Sequence, residues 1–374
     1  MHLKICISLM IWLFPWSPAL GANGAAILVE VGPSPGSSSE PVIGVRLTGG
    51  RAAWSFSHKR LWRTATGGTN WTAVSLPSPS QSGGGLEIRS ADFDSAETGW
   101  IWVEHGPLFP PSQTIYAPTQ TIYRTNDGGK NWQEQPPLPL TDGTIQTVSF
   151  RPGGGVGWVV GARKSPHVRI TIAPGCVSPP DTSKLEPDIF HTVDGGRHWV
   201  RQELPEASGC PVSEVAFRSD NEGVAVSGHH IYYTIDGGTI WRPSRYPANC
   251  PSREWRRDDW DEQVSVFFRG ASGAGWLGAI DGSLLKTSDG GRTWCQVPIQ
   301  YDAPGGGLGD MGTTYFDTAD RGWVLGPDQR IYETQNGGAT WSKVSGCDET
   351  IALMSCSGGA CLAISPTKVC RLTM

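Results

Sequence analysis

The stretch YRTNDGGKNW, Tyr123 to Trp132, carries an aspartate, a glycine pair and two aromatic residues, so it reads either as a small acidic site or as a turn. Repetition decides between the two. Aligned on the glycine pair, TATGGTNW (64–71), TNDGGKNW (125–132), TVDGGRHW (192–199), TIDGGTIW (234–241), TSDGGRTW (287–294) and TQNGGATW (334–341) are versions of one box. Their first glycines are 61, 67, 42, 53 and 47 residues apart. Periods of that size belong to propellers and solenoids with insertions in their loops. Asp127, Asp194, Asp236 and Asp289 are replaced by Thr66 in the first box and by Asn336 in the sixth. A catalytic acid is not repeated four times and replaced twice, whereas a turn-former tolerates this.

Each box follows a run such as TIYRT, IYYT or SLLKT and precedes a short run from its tryptophan. Upstream, where no insertion intervenes, a strand ends in Phe and the next one begins Gly-Trp, as in VSF…VGWVVG and TTYF…RGWVLG. Each unit therefore holds four short strands, with the box as the hairpin between the third and the fourth. Four antiparallel strands repeated at this period make a propeller blade. After the sixth box, ETIALMSCSGG, ACLAISP and KVCRL give three strands and no seventh box; at the other end AAILVEV (25–31) is a lone strand before the flexible spacer 32–41. The expected fold is all-β, a single seven-bladed β-propeller over residues 25–374, its last blade closed by the N-terminal strand. Closure removes the exposed sheet edges.

Within a box, Asp-Gly or Asn-Gly is expected to form a two-residue hairpin turn whose central positions both take positive φ. The carboxylate accepts neighbouring N–H groups and the Thr hydroxyl bonds locally. Trp71, Trp132, Trp199, Trp241, Trp294 and Trp341 then pack back over their hairpins, while Trp100, Trp158, Trp276 and Trp323 begin second strands. Only Trp255 and Trp260 lie in a loop without a repeat role.

Residues 1–21 read as a signal peptide, with Lys4 before the apolar run Ile5 to Phe14 and small residues at the cut, after Gly21 or after Gly24. The competing reading is a membrane anchor, but the run is short of the roughly 20 apolar residues that span a bilayer. No later stretch is apolar enough to span. The expected location is periplasmic or extracellular. Cys176, Cys210, Cys250, Cys295, Cys347, Cys356, Cys361 and Cys370 remain, an even number that favours disulfides in an exported chain. Their pairing is open, but four of them fall near the C-terminus and are expected to pin it. A formal charge of −5 argues against a general nucleic-acid binder.

The T-x-D-G-G-x-x-W box with its upstream F…GW strand pair resembles the Asp-box (BNR-type) propellers. Most of all it looks like the photosystem II stability and assembly factor family and its relatives in non-photosynthetic bacteria. That resemblance implies a non-enzymatic, exported scaffold that binds a membrane-protein partner during assembly. The chain is expected to be a monomer whose partner is a protein, in a membrane or an envelope complex.

Propeller geometry puts the box hairpins and the first-to-second-strand turns on one face. The insertions 104–120, 162–187, 242–263 and 297–310 go to the other. The 242–263 link holds Arg242, Arg245, Tyr246, Arg253, Trp255, Arg256, Arg257 and Trp260, the Arg-and-aromatic composition of interface hot spots. Its competing reading is a self-neutralised loop pinned by Cys250, since Asp258, Asp259 and Asp261 stand among the arginines. Lys164, His167 and Arg169 extend the same patch. The alternative function is a secreted sialidase-like glycoside hydrolase or glycan-binding lectin, which would require carboxylates of different blades to face each other at the central pocket. Against it, the Arg-Ile-Pro of sialidases is absent near the first strand. No nucleophile elbow, P-loop, cofactor motif or metal-ligand spacing occurs.

Overall fold

The computed structural model describes residues 26–37, 39–77, 86–105, 119–139, 143–164, 185–205, 211–228, 230–247, 250, 264–268, 272–279, 283–298, 300–301, 313–326, 328–347 and 350–373. These form seven sheets, each of four antiparallel strands except one that gains a fifth. The first strands of blades 1 to 7 are Gly44–Gly49, Leu86–Phe93, Gly143–Phe150, Val212–Phe217, Val264–Phe268, Thr314–Phe316 and Leu353–Ser357. From blade 1 to blade 6 each packs on the next around a central axis, and that of blade 7 contacts that of blade 1. In blade 7 the chain order is Leu353–Ser357, Ala360–Ile364 and Lys368–Thr373, with Ile27–Pro33 as the outermost strand. The termini thus share a blade, as the sequence predicts. Blade 6 departs from the four-strand pattern: Gln300–Tyr301, from the link leaving blade 5, pairs in parallel with Thr340–Lys343. The signal-peptide reading at 1–21 lies outside the described residues. Of the 32–41 spacer, the first two residues continue the closing strand, Ser34 N–H donates to Thr367 O, and Glu40 pairs with Arg60.

The box is a wider turn than expected. Strand Thr119–Thr125 ends and Gln133–Glu134 resumes, so the loop spans 126–132 rather than two residues. Positive φ falls on the glycine pair, Gly128 at 74° and Gly129 at 80°, and not on Asp127. The reason is that Asp127 acts as a cap. Its Oδ1 accepts the Asn131 N–H at 3.0 Å and the Thr125 hydroxyl at 3.0 Å, while Thr125 Oγ1 accepts the Gly129 N–H at 2.9 Å. Those bonds, the Asn131 backbone bond foremost, hold the Asp127 carboxyl at about 2. Asp194, Asp236 and Asp289 make the same bonds to His198, Ile240 and Thr293. Asn336 Oδ1 serves for Thr340, and Thr66 Oγ1 serves for Asn70. Any side-chain acceptor suffices, which is why the acid is dispensable.

Neighbouring blades are joined by an aromatic sandwich. The tryptophan opening one blade's second strand stacks on the phenylalanine ending the next blade's first strand: Trp54 on Phe93, Trp100 on Phe150, Trp158 on Phe217 and Trp276 on Phe316. Three of those phenylalanines meet their own box tryptophan edge-on, Trp199, Trp241 and Trp341. Offset stacks and edge contacts are the favoured geometries of such rings. The indole N–H groups are also used, Trp100 and Trp158 donating to Gly195 O and Gly237 O of the next box. The box therefore closes its own hairpin and receives the preceding blade.

Among the described residues three disulfides form: Cys250–Cys295, Cys347–Cys370 and Cys356–Cys361. The last two lie in and beside blade 7, which they pin as the cysteine spacing suggests. Cys176 and Cys210 lie outside the described residues.

Candidate functional site

The connections between second and third strands, and between blades, leave from the ends opposite the box hairpins. The long ones are 106–118 in blade 2, 165–184 in blade 3, and the links through 251–263 and 302–312. Of the sequence-selected residues, Arg253, Trp255, Arg256, Arg257 and Trp260 lie in those segments, outside the described residues, as do His167 and Arg169.

Arg242, Arg245 and Tyr246 are described, and they show how the link is anchored. Arg242 pairs with Tyr233 as blade 4's fourth strand, with its Nη1 buried and unpartnered among the described residues. The chain then docks on the next box: Arg245 N–H donates to Arg292 O, Trp294 N–H donates to Arg245 O, both at 3.0 Å, and Ser244 Oγ donates to Gly291 O at 2.6 Å. Cys250–Cys295 ties the same segment to blade 5. With the backbone fixed, Arg245 is exposed and Tyr246 is 40 % exposed at the mouth of the insertion. Desolvation raises the Tyr246 hydroxyl pKa even so, because area measures contact with water while enclosure by surrounding protein sets the charging cost.

The axis carries a second group that the box-centred reading did not select. Arg46, on blade 1, meets Asp92, on blade 2, at 3.1 Å; the Asp92 carboxylate also accepts the Phe150 N–H of blade 3 at 2.7 Å. Glu214, on blade 4, faces both. Burial pushes its carboxyl up to about 8, with Arg46 opposing the rise and Asp92 adding to it. By surface area Glu214 is half-buried, in part wetted while enclosed by protein. A sequence signal existed: Asp92 and Arg46 immediately precede Phe93 and its counterpart Leu47, where other blades place Ser149, Ala216, Phe267 and Tyr315. Carboxylates of blades 2 and 4 and an arginine of blade 1 therefore come together on first strands around the axis.

Fold and geometry define a seven-bladed β-propeller with repeated box hairpins at one end of its blades, long connections leaving from the other, and a charged axis. Two groups of known proteins are similar to it. The Photosystem II assembly lipoprotein Ycf48 of Synechococcus sp. (strain CC9902) is 28% identical over 154 residues, 41% of this chain and 39% of that protein. The chloroplastic Photosystem II stability/assembly factor HCF136 of Arabidopsis thaliana is 30% identical over 111 residues, 29% of this chain and 26% of that protein. The matched stretches thus span well under half of these curated relatives. No protein-family model matches the chain. A solved structure of YCF48 bound to D1 peptide superposes with a TM-score of 0.57 at 18% identity, covering 96% of this chain and 99% of that one. YCF48 from Cyanidioschyzon merolae gives 0.56 at 16%, covering 92% and 98%. These likenesses extend the shared fold across the whole propeller.

Proposed function

We propose that the chain is an exported Asp-box (BNR-type) propeller acting as a non-enzymatic binding and assembly scaffold. Its insertion-bearing face engages a protein partner, a membrane protein or an envelope complex, and the protein works as a monomer in the periplasm or outside the cell. What carries the reading is that the four long connections leave the blades at strand ends opposite the box hairpins. Rigid scaffolds that present variable loops bind with them. The resemblance to photosystem II assembly factors, one of them captured with a D1 peptide, supports the peptide or protein class of the partner. The test is affinity capture from the native envelope fraction with mature protein beside an Arg253/Arg256/Arg257→Glu variant of unchanged melting temperature. A specific protein held by the wild type and lost by the variant is the expected result. Equal capture by both moves the contact off this face, and no capture by either removes the scaffold reading.

A second reading, glycan binding or hydrolysis, is favoured by the Arg46–Asp92–Glu214 group, because the axis brings an acid whose pKa burial raises together with an arginine-paired carboxylate. It requires turnover or retention of sialosides or β-glucans that Glu214→Gln abolishes. A full glycan and hydrolysis screen with no hit retires it.

A further inference from the structure

The six boxes share one backbone design, so the residues they present to solvent can be compared position by position. Between the box threonine and the acceptor stand Ala65, Asn126, Val193, Ile235, Ser288 and Gln335; before the box tryptophan stand Asn70, Asn131, His198, Ile240, Thr293 and Thr340. The large aliphatic residues occur only in blades 3 and 4. They are open to water: Val193 is 70% exposed, Ile235 45% and Ile240 51%, and Val200, at the start of blade 3's fourth strand, is 66% exposed. Four of the seven large exposed hydrophobics among the described residues thus sit on two adjacent hairpins. Scattered exposed aliphatics need no explanation, whereas their concentration on one part of a surface marks an interaction site.

The charges beside them are also unlike those elsewhere on this face. At the third-strand position before the box threonine, Arg63 stacks over Trp54 and is neutralised by Glu97 of the next blade's turn at 2.7 Å. Arg124 repeats the position and the stack, over Trp100, with its guanidinium against Gly195 of the blade 3 box. But the turn that would supply its acid reads RPGGGV (151–156) and has none. Instead Arg124 faces Arg197 of that box, whose charge adds to burial in lowering the Arg124 pKa. Among the described residues neither arginine has a carboxylate partner. The nearby acids are committed: Asp194 and Asp236 to box hydrogen bonds, Asp220 to Arg151, and Glu222 to Arg218 and Arg292. Two cations without a carboxylate between them, next to exposed aliphatics, make a surface complementary to a negatively charged, partly apolar partner.

We propose that the box face of blades 3 and 4, with Arg124 and Arg197 at its edge, docks an extended acidic segment of another protein whose aliphatic side chains alternate with Asp or Glu. A second copy of this chain is disfavoured, because it would bring its own Arg197 to the same surface. The proposal concerns the face opposite the insertions and does not depend on what those insertions bind.

The experiment uses the full mature chain on an array of synthetic decapeptides in which Val, Leu or Ile alternates with Asp or Glu. Matched controls replace the acids by Lys or the aliphatics by Ser. The key variant is Val193→Asn with Ile235→Ser and Ile240→Thr, which installs residues the chain already carries at these positions in other boxes (Asn126, Ser288, Thr293) and so preserves the hairpins. Wild type is expected to favour the acidic aliphatic peptides by about tenfold over either control, and the box-swapped variant to lose about tenfold in affinity. Arg197→Glu should shift preference towards the Lys peptides, and Arg253/Arg256/Arg257→Glu should change nothing. No binding to the acidic aliphatic peptides, equal binding to the Lys set, or full retention by the box-swapped protein each overturns the proposal. Loss with the loop variant instead assigns the peptides to the opposite face.

Discussion

The seam between blades 3 and 4 and the seam between blades 6 and 7 solve one problem with different chemistry. At the first, Trp158 stacks on Phe217 with ring centroids 3.4 Å apart, and Trp241 closes the sandwich edge-on. At the second, Trp323 is again fully buried, but the place of the phenylalanine is taken by Cys356, bonded to its cross-strand neighbour Cys361. Both cysteines, with Cys347 and Cys370, pack in the cluster that contains Trp323. The seam between blades 4 and 5 follows suit. Val224 stands where the tryptophan would be, and Cys250–Cys295 fastens the link to the next blade. Each described disulfide therefore falls at or beside a seam that lacks the aromatic stack. At two of the three seams without the stack a covalent bond stands in; at the third, between blades 7 and 1, Leu362 and Leu47 pack in one buried aliphatic cluster instead.

The strongest way to break this comparison is to empty a stacked seam. Trp158→Ala removes a fully buried ring and is expected to cost about 3–5 kcal/mol in denaturant unfolding. A cost under about 1 kcal/mol would mean the seam collapses around the gap and the stack is not what joins the blades. Next in size, replacing Cys347 and Cys370 together by Ser opens a crosslink of 23 residues and should cost about 2–4 kcal/mol. Hydrogen exchange sharpens the point. Protection should fall in Lys368–Thr373 and Ile27–Pro33, with Leu185–Thr192 in blade 3 unchanged. Equal loss in all three would make the crosslink a global constraint rather than a seam fastener.

How far this was legible follows from which features repeat. The blade count, the shared last blade and the turn role of Asp127 came from alignment of boxes, because the same local hydrogen bonds recur six times and leave six traces. The error lay in turn type: Asp-Gly signals a two-residue hairpin by propensity alone, but the Thr125 and Asp127 side-chain bonds stabilise a wider loop whose φ requirement moves to the glycine pair. The sandwich is half visible in the sequence, which carries the F…GW strand pair but not the meeting of the two rings across blades. The axial Arg46, Asp92 and Glu214 went unselected because each is unique in its blade, and a search for repetition passes over exceptions. Arg242, Arg245 and Tyr246 were found by composition, which carries no information about their backbone anchoring on the blade 5 box.

The subtlest test returns to the seam between blades 3 and 4. His191 precedes its box threonine at the position held by Arg63, Arg124 and Lys286 in other blades, and it stacks on Trp158 with centroids 5.0 Å apart. Its Nε2 is buried without a hydrogen-bond partner among the described residues. Burial lowers its pKa from the ordinary 6.5, with Asp220 opposing. The folded state therefore binds this proton less readily than the unfolded chain. The stability linked to the neutral ring is complete above pH 6.5 and is lost as pH falls through that value towards the folded pKa. His191→Lys places at this seam the permanent charge that Lys286 already carries over Trp276. Midpoints of chemical unfolding followed from pH 8 to pH 5 should fall more steeply for the wild type than for the variant, by less than either preceding effect. Taking the difference cancels the other histidines. Identical slopes would mean that the ring takes up its proton without disturbing the stack, and that this seam is as indifferent to pH as those capped by arginine.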